Sequence, residues 1–115
     1  MENLQRNELR IELAGETRTL RASFTAIRAI ETALGKSLVK IVDDLSLRGD
    51  ISVTDTAVII FHGLKGYDDT RLTIDQVGEA IVGEPFRDMA AAAAHFLSIA
   101  LKGAPGVGKP EEAKS

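Results

Sequence analysis

The glycines near the C-terminal end form the pattern in this sequence that is closest to a known chemical site. Residues 103–109, GAPGVGK, fit the G-x-x-x-x-G-K spacing of the loop that holds nucleotide phosphates. In that loop a Ser or Thr hydroxyl binds magnesium directly after the lysine, but this chain has Pro110 there. The loop also follows a strand and opens a helix, whereas this segment follows a helical pattern. We therefore predict no nucleotide site, and the composition of residues 103–115 indicates a flexible tail.

Two histidines, His62 and His95, have the side chains best suited to acid–base chemistry or metal binding at neutral pH. Each lies in a predicted helix and lacks a second metal-binding side chain one turn further along the helix. Protein zinc sites hold three or four such ligands together. The pattern therefore favours packing or surface roles for both histidines.

The acidic pairs Asp43-Asp44 and Asp68-Asp69 are the other candidates for catalysis or metal binding. Successive side chains on a helix point about 100° apart, so Asp43 and Asp44 do not converge on one proton or one metal ion. Asp68 and Asp69, with Asp75 nearby, lack the ligand spacing of a calcium-binding loop and favour a turn. We therefore expect no catalytic residue, no metal site and no cofactor, and we predict that the protein is not an enzyme.

Composition and charge narrow the remaining classes of protein. The chain of 115 residues is long enough for one domain, which we place at residues 1–102. No apolar run approaches the roughly 20 residues that span a bilayer, the first residues lack the apolar stretch of a signal peptide, and cysteine is absent. Aromatic residues make up only 4%, and residues 41–101 are net acidic, which argues against a nucleic-acid interface. We expect a cytoplasmic protein without a membrane segment.

An alternating pattern near the N-terminus predicts a β-hairpin. The first run alternates charged side chains with the apolar residues Leu9, Ile11 and Leu13. Residues 14–15 supply the turn, and residues 17–21, rich in Thr and Arg, supply a second strand. In that pairing Leu20 shares a face with Leu9 and Ile11.

From residue 24 onward the apolar spacing changes to the helical period, and the first helix is predicted to face inward with Phe24, Ile27, Ile30 and Leu34. Cap residues and glycines divide the chain into five predicted helices. The first four begin at Ser23, Ser37, Ser52 or Thr54, and Thr73; the first three end at Gly35, Gly49 and Gly66, and Pro85 opens the fifth. The third helix is apolar around much of its circumference, which predicts that it is central or faces a partner. The fourth is predicted to bury Ile74, Val77 and Ile81, and the fifth Phe86, Met89, Ala90, Ala93, Leu97, Ala100 and Leu101.

These elements predict an α+β, mostly helical fold. Its parts are a two-stranded antiparallel hairpin packed on about five short helices and a flexible C-terminal tail. An isolated hairpin is marginally stable in water, so we expect the first and third helices to cover its apolar face. A hairpin edge that stays uncovered would accept a strand from another chain.

Several residues of this framework resemble the small tail-assembly chaperones encoded by gene transfer agents and related prophages. The resemblance covers most of residues 6–102. It is carried by Arg6-Asn7-Glu8, Gly15, Leu20-Arg21, Phe24, Glu31, Gly35-Lys36-Ser37-Leu38, Ser52-Val53-Thr54-Asp55, Gly63-Leu64 and Thr73-Ile74-Asp75-Gln76-Val77-Gly78. Asn7 and Ala22 stand where Gly and Pro are expected from the family pattern, so the two joints of the hairpin differ here.

The resemblance implies a non-enzymatic assembly factor that binds the tape-measure protein and keeps it soluble while the tail tube polymerises. The alternative is a structural tail component, such as a tube or joining protein. Tape-measure proteins are long helical chains with exposed apolar stripes, as the family implies, so we expect an apolar binding surface. The candidate partner-binding residues are Leu9, Ile11 and Leu13 on the hairpin and Val58, Ile59 and Phe61 on the third helix.

Overall fold

The computed structural model describes residues 2–3 and 7–102, with side chains described from residue 7 onward. The elements are β1 (Glu2–Asn3), β2 (Glu8–Leu13), β3 (Glu16–Arg21), α1 (Phe24–Leu34), α2 (Leu38–Arg48), α3 (Val53–Gly66), α4 (Ile74–Val82) and α5 (Phe86–Lys102). The predicted α+β, mostly helical fold with an N-terminal hairpin and five helices is confirmed. The predicted flexible tail at residues 103–115, including the glycine-rich segment 103–109, lies outside the described residues.

The hairpin joins β2 and β3 through a two-residue turn. Ala14 and Gly15 both have positive φ, 55° and 79°, as a type I′ turn requires. Leu9 lies opposite Leu20 and Ile11 opposite Arg18, so these side chains share the inner face of the sheet. The predicted hairpin register is therefore correct.

The sheet has one strand more than the two predicted from the sequence. β1 pairs antiparallel with β2, and the strand order is β1-β2-β3. A strand of two residues is too short to show alternation, which is why the sequence pattern did not reveal β1. Among the described residues, no strand pairs with the outer side of β3, so β3 forms an edge of the sheet.

Side-chain caps set the beginnings of the first four helices. Ser23, Ser37, Ser52 and Thr73 each accept a hydrogen bond from the backbone N–H three residues further along. Thr73 and Gln76 complete a capping box, since the Thr73 N–H donates to Gln76 Oε1 at 2.9 Å. The predicted helix starts are confirmed, and Ser52 rather than Thr54 caps α3.

The α3 helix is the centre of the domain, as predicted. It packs against α1, α4, α5 and β3. Two of its glycines allow β3 to approach closely. A Cβ on Gly63 would stand 3.0 Å from Leu20 Cβ, and a Cβ on Gly66 would stand 2.2 Å from the Arg21 carbonyl oxygen. The inner face of the hairpin is covered by α3 and by α5, which packs on β2, rather than by α1 and α3. The helix following a hairpin does not have to fold back on it, and here α1 packs on α3.

Three predicted inward-facing residues lie at the surface, and the most exposed of them is Phe24 at the start of α1, at 78%. Ile74, in the first turn of α4, and Leu101, near the end of α5, are both exposed, whereas Val77 and Ile81 are fully buried. In α5 the core takes Phe96 and Ile99, which the predicted stripe omitted. No helix within the described residues is both long enough and apolar enough to cross a bilayer.

Candidate partner-binding surfaces

The structure divides the six predicted partner-binding residues between the core and its margin. Leu9, Ile11, Leu13 and Ile59 are buried, and Val58 and Phe61 are half-buried. Phe61 makes an edge-on contact with the His62 ring, with centroids 5.1 Å apart, and the Lys65 ammonium lies 5.5 Å from its centroid. Four of these six side chains therefore contribute to the hydrophobic core.

Exposed apolar side chains are spread over several helices, and α2 carries the most exposed of them, Leu47, together with Val39. Six of the eleven residues of α2 are apolar. Within the described part of the chain only Ile41 among them is buried, while Leu38, Val42 and Leu45 are half-buried. Val39 and Leu47 are 53% and 84% exposed. We call the exposed side of this helix, with Val39 and Leu47, the α2 face.

A helical wheel of the α2 sequence shows which residues form the α2 face. The stripe at residues 38, 41, 42 and 45 explains why α2 packs on α5 and α1. Leu47 points to the side opposite this stripe, and Val39 lies between the two, at 100° per residue. Neither residue can reach the core, so their apolar character has no packing explanation within the described domain.

Polar contacts fix the orientation of α2. The Leu38 N–H donates to Glu31 Oε2 at 2.7 Å, which ties the start of α2 to α1. Lys36 and Lys40 both pair with Asp44, at 2.9 and 3.3 Å. The hydrogen bond from Lys36 is the main reason that the pKa of Asp44 is lowered below 3.8. The α2 face is thus presented by a helix held at its first turn and along one flank.

A second candidate surface is a groove of about 320 Å³ between β3 and the loop after α3. It is lined by Thr17, Arg18, Thr19, Tyr67, Asp68, Asp69, Thr70 and Arg71. Arg18 belongs to the inner face of the sheet, and its side chain is only 4% exposed. Its Nε donates to the Leu13 carbonyl oxygen at 2.9 Å.

The guanidinium of Arg18 is charge-balanced but incompletely hydrogen-bonded. Its Nη1 lies 3.5 Å from Asp69 Oδ2, and its Nη2 lies 3.7 Å from Glu16 Oε2. Nη1 is buried and has no hydrogen-bond partner among the described residues. Buried side-chain donors usually have a partner, so this donor calls for an explanation. The sequence pattern of residues 17–21 predicts a strand but contains no signal for this buried donor.

Asp69 is the centre of the ion-pair cluster at this groove. Arg71 donates to its carboxylate from Nε at 3.0 Å and from Nη2 at 2.9 Å, and Arg71 Nη1 also reaches Glu16 at 3.2 Å. The hydrogen bonds from Arg71 lower the pKa of Asp69 from 3.8 to about 2, and the same contacts raise the pKa of Arg71. Asp69 is therefore a structural anion at neutral pH.

The sequence candidates for metal or acid–base chemistry do not assemble into one site. His62 lies in a groove of about 390 Å³ between α1 and α3, with Ser23 and Lys65 among the other lining residues. Burial, and then the charge of Lys65, lower the pKa of His62 below 6.5. Asp43 and Asp44 lie in α2, and Asp75 begins α4. Within residues 2–3 and 7–102 no group of three His, Asp or Glu side chains is placed to hold a metal ion.

The fold and its surfaces define a small α+β domain that presents two exposed apolar residues on α2 and a groove beside a sheet edge. A family model described as "Phage tail tube protein, GTA-gp10" matches residues 6–103. Because this match covers most of the 115 residues, the protein belongs to this family of phage and gene transfer agent tail proteins. No curated protein and no solved structure matches the chain.

Proposed function

We propose that this protein is a non-enzymatic tail-assembly chaperone that binds the tape-measure protein in the cytoplasm of the bacterial host. Membership in a family of phage and gene transfer agent tail proteins supports a role connected with the tail. The observation that carries the proposal is the α2 face, on which Val39 and Leu47 remain exposed. Contiguous apolar surface marks sites of protein contact, and we infer that Val39 and Leu47 are the exposed part of such a surface on α2.

The proposed occupant of the α2 face is an apolar stripe on a tape-measure helix. A helix can lay its apolar stripe against a second helix, with contacts repeating at about every third or fourth residue. Val39 and Leu47 are about two turns apart on α2 and about 80° apart around it, with the exposed Asp43 between them, so both can contact one partner helix across a partly polar face. Covering the stripe would remove the drive of the tape-measure protein to self-associate, which is what keeping it soluble requires.

A structural tail component is the second candidate, and the family description favours it because it names a tail tube protein. Under this reading the α2 face contacts a neighbouring subunit of the particle. A subunit of a ring needs two complementary surfaces, because head-to-tail contacts must close the ring. The two candidates therefore differ in whether the protein stays in the finished particle.

Co-expression with the tape-measure protein of the same element tests the chaperone proposal. We expect the wild-type chain to raise the soluble fraction of the tape-measure protein, and Leu47→Gln and Val39→Gln to lower that rescue. Val82→Gln is the matched control, because Val82 is an apolar residue that is 68% exposed but lies on α4. A wild-type chain that fails to bind the tape-measure protein, or a rescue equally sensitive to Val82→Gln, contradicts the proposal.

Mass spectrometry of purified particles separates the two candidates. A chaperone leaves before the particle is complete, so its peptides should be absent or far below the level of the major tail protein. A constant ratio to the major tail protein across preparations would instead assign the chain to the tail structure.

A further inference from the structure

We propose that the groove beside β3 binds an extended segment of a different protein chain, which adds to the sheet as a fourth strand and supplies a neutral acceptor oxygen to Arg18. The inference does not depend on the tape-measure proposal, since it concerns another face of the domain. Two independent observations carry it: unpaired main-chain groups on the edge of β3, and the buried Nη1 of Arg18 that lacks a hydrogen-bond partner.

The hydrogen-bond pattern of the hairpin shows which main-chain groups face the groove. The Ala22 N–H donates to the Asn7 carbonyl oxygen at 3.0 Å, which makes these two residues a hydrogen-bonded pair. Hydrogen-bonded pairs alternate along an antiparallel ladder, so Leu20 and Arg18 also point their main-chain groups toward β2. The N–H and C=O groups of Thr17 and Thr19 therefore point outward.

The open part of the edge is short and well defined. The loops and caps of the described residues provide no main-chain partner for Thr17 or Thr19. Further along, the edge is closed, because Gly66 of α3 lies against the Arg21 carbonyl oxygen. Both threonines line the groove, so a strand entering it meets four main-chain groups that are oriented for pairing.

Arg18 determines which side chain of the incoming strand is favoured. It lies between the two threonines, and its nearly buried guanidinium also lines the groove. Its charge is already balanced by Asp69 and Glu16, at 3.5 and 3.7 Å. What Nη1 lacks is a hydrogen bond, which the amide oxygen of an Asn or Gln side chain can supply without adding charge. A cationic side chain there would face Arg18 directly.

A second copy of this chain is a poor occupant of the same edge. The two-fold pairing that uses Thr17 and Thr19 of both copies places each Arg18 opposite its counterpart. Two like charges directly opposite each other on the buried face of a sheet destabilise the pairing. The open edge therefore favours a different chain over a symmetric dimer.

Labelled heptapeptides, acetylated and amidated, provide the probe: TVTQTVT and its variants with Leu or Lys at the centre. We expect TVTQTVT to bind most tightly, about tenfold more tightly than the Leu peptide, because the latter leaves the buried donor unpaired. In amide spectra the N–H signals of Thr17 and Thr19 should shift and become protected from exchange. A lack of change at both amides at saturating peptide would overturn the proposal.

Two variants separate strand addition from nonspecific contact. Thr19→Pro removes an outward N–H at an edge position where proline is tolerated, and it should abolish binding, whereas Thr19→Val should retain it. Arg18→Met removes the donor and should reverse the preference, so that the Leu peptide binds more tightly than the Gln peptide. A preference for Gln that is unchanged in Arg18→Met contradicts the role of Arg18.

The free protein supplies the remaining controls. If the Thr17 and Thr19 amides become protected as protein concentration rises, without peptide, the edge belongs to a second copy. If they are already protected in the dilute full chain and lose protection on truncation after Lys102, the groove holds residues 103–115 of the same chain. Either result overturns the proposal.

Discussion

Gly66 in α3 lies so close to Arg21 in β3 that a Cβ on the glycine would stand 2.2 Å from the arginine carbonyl oxygen. Main-chain atoms of a sheet cannot move aside as a flexible side chain can. This contact sets how closely the central helix approaches the sheet. It also closes the edge of β3 beyond Thr19, so one glycine contributes both to packing and to the limits of the groove.

The first prediction is that Gly66→Ala destabilises the domain by about 1–3 kcal/mol, the usual range for a side chain forced into occupied space. Urea unfolding followed by circular dichroism measures the change. Gly78→Ala is the matched control: Gly78 is also helical, but its added Cβ meets no atom within 4 Å. Because alanine favours a helix over glycine, the control should gain up to about 1 kcal/mol. Equal effects of the two substitutions would contradict the close contact.

The second prediction concerns the pH dependence of the Asp69 ion pairs. Hydrogen bonds from Arg71 lower the pKa of Asp69 from 3.8 to about 2. A lowered carboxyl pKa in the folded state stabilises the fold above the unfolded value, and this contribution is lost as the pH falls from about 4 through about 2. Arg71 is exposed to solvent, which limits its share, but Asp69 also balances the nearly buried Arg18, so we expect Asp69→Asn to cost about 1–3 kcal/mol at pH 7.

Unfolding free energies of the wild type and Asp69→Asn should therefore converge as the pH falls toward 2. Asp68→Asn is the control, because Asp68 makes none of the ion pairs found among the described residues and its φ of 63° suits asparagine. Its effect should be small and the same at each pH. A difference between Asp69→Asn and the wild type that persists unchanged at pH 2 would show that the carboxylate charge is not responsible.

The third prediction tests the capping box of α4. Thr73→Ala removes the oxygen that accepts from the Gln76 N–H at 3.1 Å, and it should cost about 1 kcal/mol. Thr73→Ser keeps the oxygen and should restore nearly all of that loss. Thr70→Ala changes an exposed threonine outside the helices and should stay within about 0.5 kcal/mol of the wild type. Thermal and urea unfolding of the three variants give the comparison.

The helix starts could be predicted because caps act locally, through the backbone N–H three residues along the chain. The hairpin could also be predicted, since its turn and its alternating pattern lie within neighbouring residues. Contacts between residues distant in the sequence could not be predicted in this way. Arg18 alternates in phase with Leu20 and so belongs to the inner face, but nothing near it in the chain indicates that Asp69 balances its charge.

The candidate site was harder to predict because burial depends on which helices pack together. An apolar helix such as α3 looks the same in sequence whether its surplus face meets the core or a partner. Neighbours on several sides bury α3, whereas α2 packs at the periphery and keeps Leu47 exposed. Apolar residues that lie off the core-facing stripe of a peripheral helix therefore indicate a partner surface better than a helix that is apolar on most sides.

The last prediction separates core from surface on α3, where the sequence suggested a partner contact. Ile59 is fully buried, so Ile59→Ser removes apolar volume and buries a hydroxyl, and it should cost about 3–5 kcal/mol, a large share of the stability of a small domain. Val58 is only half-buried, so Val58→Ser should cost less. Urea unfolding measures both values, and the soluble fraction of a co-expressed tape-measure protein shows whether binding is lost with the fold. If Ile59→Ser keeps wild-type stability yet abolishes the rescue, Ile59 acts in partner binding and the core position described here is wrong.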